Sequence, residues 1–327
     1  MARMWKCSGL RWDVDGPVLV WDGGRRSALP RGKRVAFAVP EAGGRTCTGA
    51  RGHACPVRAA VPGRSTGARC EECARLDRAH SVAADTLADD PRPYRVYLAW
   101  FGPGMVKVGI TAVERGPARL LEQGAVCFSW LGSGPLMAAR RTEELLRAAL
   151  RVPDRIPYAE KRAVRSALPV AEADRAAEVR ELHARATALA GWPESLRPAP
   201  CEVVDHVRAF GLDGVPAALG EVVELVPGGA LSGELVAAAG PDLHLAVGAR
   251  GVVVLDTRLM AGWELTPTAG PSDGLTLPAR EFRRKREQGG AFLTGCQEDP
   301  GETPGVSQKN HRLGKASSQR APTWCAP

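Results

Sequence analysis

The amino-acid sequence predicts an α+β protein built around a small antiparallel sheet that is flanked by helices. Three observations support this fold class. Residues 94–150 have, in order, the pattern of a strand, a turn, a strand, a short helix, a strand and a longer helix, and residues 159–190 are helical in composition. Residues 219–265 then return to short apolar runs separated by glycine-rich turns, which is typical of antiparallel strands.

These patterns divide the 327 residues into five segments. We expect a basic N-terminal β-unit with a cysteine-rich zinc segment, a central sheet-and-helix domain, a helical extension that Pro169 splits in two, a small β-unit and a disordered tail. The expected boundaries are, in that order, 1–90, 91–158, 159–200, 201–268 and 269–327. The tail is assigned to disorder because it is polar, rich in proline and glycine, and without periodicity.

The positive charge of the chain is concentrated near its N-terminal end. The formal net charge is +8; residues 1–80 hold 15 Lys/Arg against 7 Asp/Glu, whereas residues 81–270 hold 20 against 23. A basic segment attracts polyanions, so this charge favours nucleic acid, either DNA or RNA, as the partner. An arginine-rich surface without any partner explains the charge alone equally well.

The sequence lacks the marks of a secreted or membrane-inserted protein. No basic start leads into an apolar core of signal-peptide length, and no apolar run approaches the roughly 20 residues that span a bilayer. The nine cysteines are odd in number and unevenly spaced, which does not indicate a disulfide framework. We therefore expect a cytoplasmic protein without a membrane partner, and the sequence leaves a protein partner open.

The first segment contains two apolar pieces, PVLVW and RVAFAV, within residues 16–38. A turn-rich stretch separates them, so they predict a β-hairpin or the start of a β-unit. Residues 45–80, which follow, are rich in glycine, arginine and proline and poor in large apolar side chains. Such a segment buries little core by itself and needs another source of stability.

Four cysteines of this segment have a spacing that suits metal ligands: Cys47, Cys55, Cys70 and Cys73. Only two residues separate the last two, which lets both thiolates bind one tetrahedral ion. Three further residues are possible substitutes for the first two, namely Cys7, His53 and His80. We interpret the group as a structural Zn²⁺ site, because a segment with little core commonly needs a metal. Buried structural thiols or a redox-active Cys-x-x-Cys pair are the alternatives.

The stretch VYLAWFGPGMVKVGIT, residues 96–111, predicts a tight hairpin around its Gly-Pro-Gly turn. With a three-residue turn, antiparallel pairing places Tyr97 opposite Gly109 and gathers the large apolar side chains on the other face. Lys107 and Thr111 border the open space that the glycine leaves beside the phenol. Gly109 and Thr111 are therefore candidate substrate-binding residues.

Two helices after the hairpin supply an arginine and a carboxylate. In GPARLLEQGA the proline suits the first helical position and the second glycine suits the end, so Arg119 lies in the first turn. In PLMAARRTEELLRAAL a helical projection places Glu143 at the edge of the apolar arc and Glu144 on the solvent side. Of these two acids, Glu143 is the one that we expect to face a site.

The hairpin motif, Arg119 and Glu143 together resemble the GIY-YIG nuclease superfamily. The VY of the first strand corresponds to the family's Ile-Tyr, and the KVG of the second strand corresponds to its Tyr-Ile-Gly. With the preceding cysteines, residues 45–150 most closely resemble the bacterial domain-of-unknown-function family 2797, of the actinobacterial type. The resemblance implies that residues 91–158 form a GIY-YIG-like domain, a small central antiparallel sheet with flanking helices.

In active members of the superfamily the tyrosine is the general base for water, the arginine stabilises the phosphate and the glutamate holds one divalent ion. By this resemblance the roles fall to Tyr97, Arg119 and Glu143, with Mg²⁺ or Mn²⁺ as the catalytic ion. Two positions depart from the pattern: Arg95 stands at the first glycine of the motif and Lys107 at the second tyrosine. Because a neighbouring ammonium favours a phenolate, we expect Lys107 to ease the ionisation of Tyr97 and include it among the catalytic candidates.

Each of these residues also has a purely structural explanation. A strand tyrosine is commonly half-buried, and a charged helical residue commonly pairs with an opposite charge one turn away. The available partners are Glu122 or Glu114 for Arg119, and Arg147 or Arg140 for Glu143. Three functions are therefore open: a metal-dependent endonuclease or related phosphodiesterase, a nucleic-acid-binding module that has lost catalysis, and a zinc-stabilised adaptor that binds protein.

Overall fold

Three mainly antiparallel sheets and the helices packed against them make the described part of the protein α+β, which confirms the expected fold class. The computed structural model describes residues 4–79, 90–268 and 274–282. All of these residues lie within one compact unit, Met1–Arg283.

The helices in these described residues are mostly short: Glu71–Ala79 (α1), Ala118–Gln123 (α2), Leu136–Leu150 (α3), Tyr158–Val164 (α4), Glu172–Thr187 (α5) and Val207–Phe210 (α6). None of them is both long enough and apolar enough to cross a lipid bilayer. The strands are Trp5–Asp13 (β1), Gly16–Trp21 (β2), Arg26–Ala28 (β3), Arg34–Ala38 (β4), Tyr94–Trp100 (β5), Val106–Ala112 (β6), Cys127–Gly134 (β7), Arg197–Pro198 (β8), Val204–Asp205 (β9), Gly220–Val222 (β10), Ala230–Ala239 (β11), Asp242–Ala246 (β12), Val252–Asp256 (β13), Glu264–Leu265 (β14), Gly274–Leu275 (β15) and Ala279–Glu281 (β16).

The central sheet has the strand order β6-β5-β7-β8, and β9 also pairs with β7. Its hairpin β5–β6 has the register expected from the sequence, with Tyr97 facing Gly109 and Leu98 facing Val108. Both faces of β5 are buried, because alternate side chains pack in the largest apolar cluster and in a second, smaller one. Helices α3 and α5 pack against this sheet. The strand that carries Tyr97 is therefore held rigidly from both sides.

The turns after the hairpin follow the expected chemistry of helix ends. Helix α2 begins after Pro117 and ends at Gly124, which has a left-handed φ of 70° that ends the helix at no steric cost. Helix α3 likewise begins after Pro135. The expected positions of both helices are confirmed, so the sequence places Arg119 and Glu143 on the correct elements.

The two apolar pieces of residues 16–38 do not pair with each other, so the expected hairpin between them is wrong. The first piece, β2, pairs with β1 across a two-residue turn and with β3 on its other edge. The second piece, β4, pairs with β11 in the C-terminal half. Strand β4 belongs there because its alternate apolar side chains, Val35 and Phe37, become buried in that sheet.

A seven-stranded sheet combines strands from both ends of the described chain. Its order is β15-β11-β12-β13-β10-β16, and β4 also pairs with β11. Strand β1 pairs with β14 in a separate four-stranded sheet, so these pairings cross the expected segment boundaries. Strands β15 and β16 lie in the segment expected to be disordered, and they are ordered because Leu275 and Leu277 are buried. The rest of that expected tail lies outside the described residues.

A buried network of charged side chains fastens α4 and the turn after it to the seven-stranded sheet. Arg165 donates to Asp242 at 2.6 Å, and Arg162 donates to Asp242 and Asp256 at the same distance. Asp242 is completely buried, and Arg165 is 2% exposed. Burial would raise the pKa of Asp242, but the two guanidiniums outweigh burial and lower it. The carboxylate therefore stays charged and compensates the desolvation of both arginines.

Replacing Asp242 with asparagine removes the charge that compensates two buried guanidiniums. We expect Asp242→Asn to lower the free energy of unfolding by about 3–5 kcal/mol, as measured by urea denaturation, because the buried Arg165 loses the carboxylate that compensates its charge, whereas Arg162 keeps its contact with Asp256. Glu181→Gln is the matched control, since Glu181 and Arg185 form an exposed pair at 3.6 Å on α5. Losing such a pair costs about 1 kcal/mol or less. Equal losses in the two variants would contradict the role of the network.

Candidate functional site

A cavity of about 1060 Å³ opens beside the β5–β6 hairpin, between α2, α3 and the chain after α3. All six residues that the sequence predicts around the hairpin line this cavity: Tyr97, Lys107, Gly109, Thr111, Arg119 and Glu143. They come from four elements, β5, β6, α2 and α3. The fold therefore brings the predicted residues together, although their roles stay a prediction.

The phenol of Tyr97 lies directly over Gly109. A Cβ atom at position 109 would come closer than 3.0 Å to the Tyr97 ring and hydroxyl, which real Cβ atoms essentially never do. The tyrosine is only 1% exposed, and its ring meets that of Trp130 edge-on at a centroid distance of 6.2 Å. The register of Tyr97 opposite Gly109 is confirmed, but the space that was expected to stay open beside the phenol is filled by the phenol itself.

The expectation that Lys107 makes Tyr97 ionise more readily is wrong. Burial raises the pKa of this phenol, and the nearby Gln123 amide and Arg119 guanidinium oppose burial only in part. Lys107 lies over the face of the ring, 5.7 Å from its centroid, and donates from Nζ to the backbone oxygen of Asp154 at 2.9 Å. Because the ammonium is directed to Asp154 and not to the phenol oxygen, it does not offset the burial.

The pKa of Lys107 is itself shifted by the groups around it. Burial, followed by the neighbouring Arg119, lowers the pKa of Lys107 to about 8, while Glu143 and Asp154 act in the opposite direction. The side chain is therefore a cation at neutral pH and loses its charge in mildly alkaline solution. Such a group supplies positive charge to the floor of the cavity under ordinary conditions.

Arg119 keeps much of its guanidinium available to the cavity. Its side chain is 43% exposed, and Glu122 lies 3.9 Å away, at the limit of an ion pair. Arg115 makes the close contact with Glu122, at 2.5 Å. The structural explanation of Arg119 as the partner of Glu122 is therefore weak, because Glu122 is bound more closely by another arginine.

The two neighbouring acids of α3 are placed as the helical projection predicts. Glu144 is exposed and pairs with Arg147 at 3.2 Å, whereas Glu143 is half-buried beside the cavity. Within the described residues, no hydrogen bond or ion pair shorter than 4.0 Å involves Glu143. Burial raises the pKa of Glu143, which Lys107 counteracts and Asp154 reinforces. A half-buried carboxylate without a protein partner is well placed to bind a cation.

Sequence reasoning missed two residues of this site. Gln123 is 7% exposed and donates from Nε2 to the hydroxyl of Tyr97 at 2.8 Å. It lies three positions after the fully buried Leu120 on α2, so a polar residue on the buried side of a short helix was the signal that could have found it. Asp154 adds a second carboxylate to the cavity wall. It lies in the irregular chain after α3, where no sequence pattern marks it.

The cavity lining is rich in cations. Its charged side chains are seven basic residues, Arg92, Lys107, Arg115, Arg119, Arg140, Arg141 and Arg147, and four acidic ones, Asp77, Glu143, Glu144 and Asp154. A concave surface with this excess of positive charge concentrates anions such as phosphate esters. Two of the acidic side chains, Glu143 and Asp154, act on each other electrostatically, since Asp154 helps to raise the pKa of Glu143.

The four cysteines predicted as metal ligands form a cluster in the N-terminal part of the described chain. Their sulfur atoms all lie within 4.8 Å of one another. A tetrahedral ion with metal–sulfur bonds of about 2.3 Å separates its sulfurs by roughly 3.8 Å, so the cluster has a suitable size. The backbone N–H groups of Gly49 and Cys70 donate to the sulfur of Cys47 at 3.3 and 3.2 Å, which stabilises a thiolate.

The substitute ligands do not join this cluster. The group of clustered cysteines contains neither Cys7 nor His53. Cys7 is fully buried in the main apolar core, and burial raises its pKa to about 12, so it is a packed thiol. His80 lies outside the described residues.

Arg45 attaches the cysteine segment to the rest of the protein. Its guanidinium is 3% exposed and donates to the backbone oxygens of Pro62 and Ser65 within the segment. It also donates to the backbone oxygens of Arg258 and Ala261 in the C-terminal half, each at 2.8 Å. This buried side chain therefore joins the cysteine segment to the turn that follows β13.

Comparison with known proteins identifies one family. The model of the family described as Protein of unknown function (DUF2797) matches residues 32–265, which include the cavity and the four cysteines. No curated protein and no solved structure matches the chain.

Gly109→Ala tests the close approach of the phenol. We expect this variant to lower the free energy of unfolding by about 1–3 kcal/mol, as measured by urea denaturation, because the added methyl group would collide with the ring of the buried Tyr97. Gly44→Ala is the control, since a Cβ atom at position 44 would meet no atom within 4 Å. A Gly109→Ala variant as stable as this control would show that Tyr97 is free to move.

Proposed function

The chain belongs to the family described as Protein of unknown function (DUF2797), and we propose that it is a metal-dependent, nuclease-like protein that binds nucleic acid and hydrolyses a phosphodiester bond. One observation carries this proposal: a phenol, a guanidinium and a carboxylate from β5, α2 and α3 line the same basic cavity. The GIY-YIG superfamily, which the sequence resembles, combines these three groups in the same order.

The chemistry of phosphodiester hydrolysis fits the groups in the cavity. A water oxygen adds to phosphorus, one P–O ester bond breaks, and the departing oxygen takes up a proton. Arg119 and Lys107 are cations that stabilise the charge on the phosphate oxygens. Thr111 lines the cavity, and its buried hydroxyl has no hydrogen-bond partner within the described residues. Gly109 leaves room for the phenol of Tyr97, which lines the cavity.

Glu143 and Asp154 are the residues that would hold a catalytic Mg²⁺ or Mn²⁺. Both carboxylates line the cavity, and oxygen ligands are those that these hard cations prefer. Glu143 has no hydrogen bond or ion pair with another described residue that would compete with the ion. When bound, such an ion supplies positive charge that neutralises a phosphate and lowers the pKa of a bound water.

Nucleic-acid binding without cleavage is the second candidate function. It is favoured by two departures from the nuclease pattern, Arg95 and Lys107, and by the burial of Tyr97. The basic lining of the cavity would serve either function, because binding a phosphate backbone depends mainly on positive charge. Cleavage alone distinguishes the two candidates.

We also propose that the four clustered cysteines hold a structural Zn²⁺. The cluster has the four sulfur ligands that zinc binds tetrahedrally, and the segment around it has only a small apolar core. A bound ion would replace the missing core as the source of stability. Thiols must stay reduced to bind zinc, which agrees with the cytoplasmic location expected from the sequence.

Glu143→Gln tests catalysis. In Mg²⁺ or Mn²⁺ we expect cleavage of labelled DNA or RNA to fall by roughly 10²-fold or more, because loss of the bound cation removes several kcal/mol of charge stabilisation. Affinity for the same probes, measured by fluorescence anisotropy, should stay within a few-fold. Glu144→Gln is the matched control, because it removes the same charge from the exposed neighbour.

The outcomes separate the candidate functions. Binding without cleavage in the unmodified protein would favour the binding module over the nuclease. If neither DNA nor RNA binds with a salt-dependent affinity, both nucleic-acid functions are wrong, and a zinc-stabilised adaptor for protein gains support.

Cys73→Ser tests the zinc site. We expect elemental analysis to find one zinc per purified chain, and this variant to lose the metal and to unfold at a Tm lower by roughly 5 °C or more. Cys201→Ser is the control, since Cys201 is exposed and lies outside the cluster. Full stability and metal content in Cys73→Ser would contradict the assignment.

A further inference from the structure

We propose that Gln123 is a positioning residue whose side-chain amide donates a hydrogen bond to Tyr97 and thereby directs the phenol's own O–H into the cavity. There the phenol donates to a phosphate oxygen of the substrate. This inference rests on the proposed function for the identity of the substrate, whereas the hydrogen bond is a property of the free protein. It makes Tyr97 a hydrogen-bond donor, whereas the family resemblance implies a general base.

Gln123 is held in place at both its backbone and its side chain. It is the last residue of α2, and the left-handed Gly124 turns the chain away immediately after it. Its backbone oxygen accepts a hydrogen bond from Nζ of Lys161 at 3.1 Å. Lys161 is only 4% exposed, and its Nζ lies 3.7 Å from the centroid of the Phe101 ring. The amide therefore reaches Tyr97 from a position that cannot shift without disturbing α4.

The hydrogen-bonding capacity of the neighbours decides where the phenol proton points. A phenol has one O–H donor and accepts through its oxygen, whereas guanidinium and ammonium groups only donate. The Gln123 amide donates to the Tyr97 oxygen, and Arg119 and Lys107 have no acceptor to offer. Among the described residues, no acceptor lies within hydrogen-bond distance of the phenol O–H. The proton is therefore directed at the cavity, where a substrate oxygen can accept it.

The charged groups around Tyr97 agree with a donor role. Burial raises its pKa, and Glu143 on α3 adds to this effect. Gln123 and Arg119, both on α2, act in the opposite direction without cancelling the burial, and Lys107 of β6 lies over the ring face. The phenol therefore stays protonated near neutral pH. A protonated phenol can donate to a phosphate oxygen but cannot take a proton from water.

Ring-fluorinated tyrosine and ¹⁹F NMR test the direction of the hydrogen bond in the free protein. The chain contains three tyrosines, and ring fluorination lowers the pKa of a phenol, which brings its titration closer to neutral pH. Tyr97→Phe assigns the signal. Tyr94, whose hydroxyl donates to Asp90, serves as an internal control for folding.

The sign of the pKa change in Gln123→Met is decisive. If the amide donates to the phenol, it stabilises the phenolate, so its removal raises the pKa of Tyr97. If the amide accepts from the phenol, its removal lowers that pKa, and the proposal is overturned. We also expect Gln123→Glu to raise the pKa further, because a carboxylate repels the phenolate and accepts its proton. Changes at the Tyr94 signal would reveal a general loss of structure.

A second readout applies where the protein cleaves nucleic acid. We expect Gln123→Met to lower kcat by roughly 10²-fold with little change in KM, because a misplaced group loses alignment with the reacting phosphate. The pH–rate profile of the unmodified protein should fall near pH 8, as Lys107 loses its charge, and should not rise again through the pKa of Tyr97, since the donor must be protonated. A rate that instead rises with ionisation of Tyr97 identifies a base and overturns the proposal. Without any cleavage the proposed function fails, while the NMR result still decides the role of Gln123.

Discussion

The phenol of Tyr97 fills the space that any side chain at position 109 would need, and the candidate site is organised around this contact. Because both faces of β5 are buried, the tyrosine cannot move away from β6 without disturbing two apolar clusters. The phenol oxygen therefore has a fixed position, to which Gln123 is hydrogen-bonded. The cavity with Arg119 and Glu143 opens beside it. A packing constraint in the hairpin thus sets the geometry of the polar groups.

The C-terminal sheet supports this site through α4 and the turn that follows. Lys161 on α4 binds the backbone oxygen of Gln123, whereas Arg162 and Arg165 are bound to Asp242 of the sheet. The buried ionic network therefore fixes the segment that holds the end of α2. This dependence agrees with the extent of the family match, which continues well past the hairpin and its helices to residue 265.

The cysteine cluster and the cavity are neighbours through α1. This helix carries Cys73 and, one turn later, Asp77, which lines the cavity. Arg69 pairs with Asp77 at 3.4 Å and donates to the backbone oxygen of Gly49, so the helix is tied to the loop that bears Cys47. A metal bound by the four cysteines would order the part of the cavity wall that α1 contributes, and its structural role would extend to the site.

Local patterns in the sequence were sufficient for the β5–β6 register, for the ends of α2, and for the choice of Glu143 over Glu144, because each depends on the period of one element or on a turn residue. The partner of β4, the hydrogen bond from Gln123 and the ionisation of Tyr97 could not be obtained in this way. Each depends on groups that are distant in the chain and on burial, which no local period encodes. The expected effect of Lys107 shows the difference. The sequence correctly predicted that Lys107 lies beside Tyr97. In the folded protein, however, the phenol is buried away from water, and the ammonium donates to the backbone oxygen of Asp154.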